Sequence, residues 1–67
     1  MNPEPYRNAN KENVLKHFLE DGIDSLALYS SVSFCPIWAV YIFVLEEYPE
    51  NEEVKRRLES CKGFYGF

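Results

Sequence analysis

From Ser25 to Leu45 the chain runs 21 residues without a charged side chain, and Pro36 stands inside that run. A segment so poor in charge is expected to be covered. A proline within it lacks the N–H that a continuous helix or an inner strand requires. The segment is therefore expected to form two elements meeting at Cys35-Pro36. After the proline, the nine residues Ile37–Leu45 are all apolar or aromatic.

Three arrangements satisfy these constraints. In the first, Asp24 or Ser25 caps a helix that runs to about Val32, and Cys35-Pro36 opens a second helix ending near Tyr48. Proline suits a first helical turn, where its missing N–H would be unpaired anyway. A helix apolar on every face belongs at the centre of a fold. In the second, residues 26–33 and 38–45 form a hairpin, since Trp38, Val40, Tyr41, Ile42, Phe43 and Val44 are good strand formers. Periodicity alone does not separate a buried strand from a buried helix. In the third, residues 25–45 cross a membrane, for which ~20 apolar residues suffice. Against that stand Ser30, Ser31, Ser33 and Pro36 near the middle. Both flanks are also acidic, so the basic asymmetry that orients a span is missing.

The flanking segments favour helices. Val14, Leu15, Phe18 and Leu19 share one helical face, Asn8 or Asn10 can cap its start, and Gly22 suits its end. Beyond Pro49, Asn51 can cap a last helix, with Glu52 and Glu53 in its first turn, where acids suit the helix dipole. Val54, Leu58 and Cys61 form its apolar stripe, and Gly63 closes it. The fold class expected is all-α: one domain, a small bundle of three or four short helices around a central apolar helix. The alternative is an α+β fold containing the 26–33/38–45 hairpin. Residues 1–8 read as an extended arm pinned by Tyr6, and residues 64–67 as an aromatic tail. The expected core is Val14, Leu15, Phe18, Leu19, Leu26, Leu28, Val32, Phe34, Trp38, Val40, Ile42, Phe43, Val44, Val54 and Leu58.

Size makes that core matter. A chain of 67 residues buries only ~60% of its unfolded surface, so it needs dense packing, a metal, disulfides or a partner chain. Aromatic residues, 16% of the chain, suit dense packing. Cys35 and Cys61 are too few for a disulfide scaffold and lack the close pairs of a zinc site. They read as two buried free thiols, and a bridge between them would need the last helix to pack near Pro36. His17 is the only histidine, with no nucleophile or metal partner in the pattern around it. Gly22, Gly63 and Gly66 do not form a phosphate-binding loop. No catalytic, cofactor or metal site is expected, and no enzyme.

Charge narrows the partners. The net charge is −4. The one basic cluster, Lys55-Arg56-Arg57, follows the glutamates Glu46, Glu47, Glu50, Glu52 and Glu53. Direct nucleic-acid binding needs a concentrated basic face, which this pattern does not supply. The chain opens without a basic segment leading into an apolar run, so a cytoplasmic location is expected.

The function these features suit is non-enzymatic protein–protein interaction: an inhibitor of the kind viruses and phages use, or an assembly subunit, that occupies a partner's surface. The alternative is a small single-pass membrane protein with 25–45 in the bilayer. Glu46, Glu47 and Glu50 form an acidic edge suited to a basic partner. Phe64, Tyr65 and Phe67 are aromatics of the type enriched in interface cores. Ile37–Leu45 is apolar on more faces than a few short helices readily cover, so a homodimer or a tightly held protein partner is expected there.

Overall fold

The computed structural model describes residues 2–65, with Phe64 and Tyr65 described by backbone alone. Four helices follow one another: α1 (Glu4–Asp21), α2 (Ser25–Ser33), α3 (Ile37–Glu47) and α4 (Glu52–Tyr65). Among the described residues there is no strand, so the all-α reading holds and the hairpin does not. The charge-free run comprises the nine residues of α2, the link 34–36 and the first nine residues of the 11-residue α3. No helix of the described residues is long and apolar enough to cross a membrane.

α1 starts earlier than expected. Residues 4–8, read as part of an extended arm, are its first turns. Prolines suit an extended arm and a first helical turn alike, because the first-turn N–H groups have no partner in the helix. Asn2 Oδ1 accepts one of those orphan bonds, from the Glu4 N–H at 3.0 Å. Tyr6 does pin this end, its ring meeting Trp38 edge-on at 6.1 Å between centroids. Asn10 is no cap but a buried residue inside the helix. Its Nδ2 donates to the Tyr6 carbonyl at 2.8 Å and its Oδ1 accepts the Tyr29 hydroxyl at 2.8 Å. Both halves of the amide are thereby satisfied, which a buried polar group requires.

α3 is the central helix, packed against α1, α2 and α4. Its Ala39, Val40, Phe43 and Val44 are completely buried. Val14 from α1, Leu26 from α2 and Val54 from α4 close over them. Fully burying one such side chain stabilises by roughly 1.5–3 kcal/mol. α3 takes its start from Pro36, whose carbonyl accepts the Ala39 and Val40 N–H groups at 3.0 and 3.2 Å. α4 is capped as expected, with Asn51 Oδ1 accepting the Val54 N–H at 3.0 Å. It does not stop at Gly63 but continues to Tyr65.

Five residues expected in the core lie outside it: Leu19, Leu28, Val32 and Phe34 are exposed, and Leu15 is half-buried away from the core cluster. Tyr29, Cys35, Ala39 and Tyr41 are buried in addition to the residues expected. Of Ile37–Leu45, five residues are buried and Ile37, Trp38, Ile42 and Leu45 are half-buried, so the other three helices cover most of that helix but not all of it. The large apolar residues left most exposed are Leu19 on α1 and Leu28, Val32 and Phe34 on α2 and at its end.

Candidate interaction surface

α2 has two unlike faces. Leu26 and Tyr29 point into the bundle, while Ala27, Leu28, Ser31 and Val32 are exposed. At 100° per residue the four exposed positions form one contiguous arc of the helix. Ser30 and Ser33 lie on the inward side and are partly buried. Their hydroxyls need internal acceptors there and have them. Ser30 Oγ donates to the Cys35 carbonyl, and Ser33 Oγ to the Tyr29 carbonyl at 2.6 Å. The serines thus go inward because the backbone satisfies them, and apolar side chains of the same short helix are left outward.

Phe34 extends this face. It ends α2 in the left-handed region, φ 58° and ψ 26°, and is the one non-glycine residue with positive φ among the described residues. That conformation costs an L-residue roughly 1–2 kcal/mol relative to right-handed backbone. Glycine or asparagine is the usual occupant of such a helix end. The phenyl ring recovers little of this within the chain, being 91% exposed. Leu28 and Val32, 69% and 67% exposed, precede it on the outward arc. None of these three exposed residues has a charged neighbour within the run from Ser25 to Leu45.

The acidic edge is arranged differently. Glu46 is gripped by α1: Arg7 donates both terminal nitrogens to its two oxygens, and Lys11 lies 3.0 Å away. Lys11 also reaches Glu47 at 3.2 Å. Arg7 stacks over the buried Phe43 ring at 5.4 Å and pairs with Glu4 at 2.6 Å. Hydrogen bonds from Arg7, then Lys11, hold the Glu46 carboxyl down at about 2, below its ordinary 4.5. Two of the three edge carboxylates therefore tie α1 to α3. Glu50 is exposed and makes no ion pair among the described residues. The side chains of Phe64 and Tyr65, and all of Phe67, lie outside the described residues.

Cys35 and Cys61 are free thiols, and burial pushes both above the ordinary thiol range, which makes them less nucleophilic. His17 sits beside the Tyr29 ring, 5.0 Å between centroids, with its Nδ1 3.7 Å from Asp21. Among the described residues, no group of three or more His, Cys, Asp or Glu side chains is placed to hold a metal ion.

The outward face of α2 was missed in the sequence because Leu28, Val32 and Phe34 read as core. The signal available was the interleaving of serines with large apolar residues on a nine-residue helix. It does not by itself say which set faces in. No family model matches the chain, nor does any curated protein or solved structure.

Proposed function

We propose that this protein is a non-enzymatic interaction module that occupies the surface of a protein partner with the outward face of α2. The observation that carries the reading is Phe34: a phenyl ring held almost fully in water, on a backbone conformation that disfavours it, at the end of the helix that exposes Leu28 and Val32. Contiguous apolar surface of this kind, rimmed by polar residues, marks interaction sites more often than it marks anything else. An inhibitor or an assembly subunit of viral or phage type works in this manner, by covering a surface rather than by catalysis. Glu50 and the aromatics Phe64, Tyr65 and Phe67 are proposed as additional partner contacts, separate from the α2 face. A cytoplasmic setting suits thiols kept reduced.

The test is retention of proteins from a host lysate by the immobilised chain, compared with a folded Leu28→Glu, Val32→Glu double variant. Proteins held by the first and lost by the second support the reading. Identical retention by both, with circular dichroism showing the variant intact, refutes it.

A further inference from the structure

We propose that the occupant of the outward α2 face is a second copy of this chain, so that the protein acts as a two-fold dimer joined through Leu28, Val32 and Phe34. This rests on the reading of that face as an interface and names what covers it.

Charge is the first argument. No residue from Ser25 to Leu45 is charged, so the face offers nothing to a charged partner. The nearest acid along the chain, Asp24, is already paired with Arg57 at 2.9 Å. A copy of the chain brings a surface equally free of charge. The chain as a whole carries −4, so two copies can meet only where their acids are compensated. Glu53 shares the Arg57 guanidinium with Asp24, at 3.3 Å, and Glu46 and Glu47 are held by Arg7 and Lys11.

Shape is the second argument. The exposed arc has two rows, large side chains at Leu28 and Val32 and small ones at Ala27 and Ser31. Each row is spaced by one helical turn. A two-fold axis running along α2 lays the large row of each copy on the small row of the other. It also brings the two Phe34 rings to the same end of the contact. A self-complementary surface of this kind is what a two-fold contact requires.

Area is the third. Phe34, Leu28 and Val32 at their observed exposures present about 400 Å² of side chain, and Ala27, Ser31 and the turn raise this to about 500 Å² per copy. Two copies thus bury at most about 1,000 Å², the lower bound for a specific interface. The dimer is therefore expected to be weak and reversible, with a Kd on the order of tens of micromolar.

Sedimentation velocity across a concentration series from about 1 to several hundred micromolar tests this. The wild type is expected to pass from monomer to dimer over that range. Leu28→Glu, with its helix content unchanged, is expected to raise Kd at least ~100-fold by burying an unpaired charge. Phe34→Gly is expected to abolish the dimer while raising the monomer Tm by about 4–8 °C, because it relieves the backbone. A wild type that stays monomeric throughout overturns the proposal, as does a dimer that survives Leu28→Glu. A monomeric wild type whose lysate proteins are still lost on the Leu28→Glu, Val32→Glu change overturns the dimer alone and keeps the face as an interface with another protein.

Discussion

Two helices of this molecule end on residues with positive φ, and they do so with opposite kinds of residue. α1 ends at Gly22, φ 84° and ψ −178°, a region that essentially glycine alone occupies. Its N–H donates to the Phe18 carbonyl at 3.0 Å, closing the helix end. Here the residue is what the backbone demands. α2 ends at Phe34, φ 58°, where glycine would serve the backbone better and a phenylalanine stands instead. If the ring were buried, packing would account for it. It is 91% exposed. The first turn is explained within the chain, while the second points to something outside it.

The largest contrast separates the two phenylalanines of that argument. Phe43 is fully buried beneath Arg7, and Phe34 is in water. Phe43→Ala is expected to destabilise by ~3–5 kcal/mol, enough to unfold a chain this small. Phe34→Ala at micromolar concentration is expected to change stability by less than ~0.5 kcal/mol. Urea unfolding of both variants measures the difference directly. A Phe34→Ala loss approaching that of Phe43→Ala would show that the ring packs within the bundle and would remove the contrast.

The two turns are separated by a smaller step. Gly22→Ala meets no neighbouring atom within 4 Å, so any penalty it shows is backbone strain alone. That penalty is expected to be ~1–3 kcal/mol. A thermal melt in which Gly22→Ala matches the wild type would mean that the α1 terminus relaxes freely, and strain at Phe34 would lose its standing too.

A further comparison sets the acidic edge against the α2 face, one engaged within the chain and one not. Glu46 has a folded pKa of about 2 against an ordinary 4.5. A depressed carboxyl stabilises the fold above its unfolded pKa and loses that contribution as pH falls through the folded value. The contribution should be complete above pH ~5 and decline toward pH 2. The side chain is 30% accessible, so solvent screening reduces it to about 1 kcal/mol. Glu46→Gln is expected to lower stability by that amount at pH 7 and to flatten the fall between pH 5 and pH 2.5. A variant whose acid unfolding curve superimposes on the wild type would show that the Arg7 and Lys11 contacts contribute nothing net.

Much of the fold was legible in the residues, and the reasons differ by element. Pro36 divides the charge-free run because the proline constraint is local and admits few exceptions. Asn51 caps α4 for an equally local reason. α3 is recognisable as the central helix because no polar residue interrupts Ile37–Leu45. What was not legible depended on tertiary partners. Asn10 reads as a cap until Tyr29 supplies a hydroxyl for it to accept. Which side of α2 its serines take is open until the Cys35 and Tyr29 carbonyls accept hydrogen bonds from Ser30 and Ser33. Glu46 and Glu47 read as a free edge until the extended α1 brings Arg7 and Lys11 across from the other side. The candidate surface was hidden for the same reason, since its apolar residues read as core as long as the inward side of α2 was unknown.

The central claim is that the Phe34 ring serves something beyond this fold. The most direct test is the unfolding free energy of Phe34→Gly against the wild type, by urea at about 1 µM, where self-association is negligible. If the ring does nothing inside the bundle, relief of the left-handed backbone should stabilise the variant by about 1 kcal/mol. Destabilisation by 1 kcal/mol or more would contradict the account, because it would mean that the ring is held by its own chain.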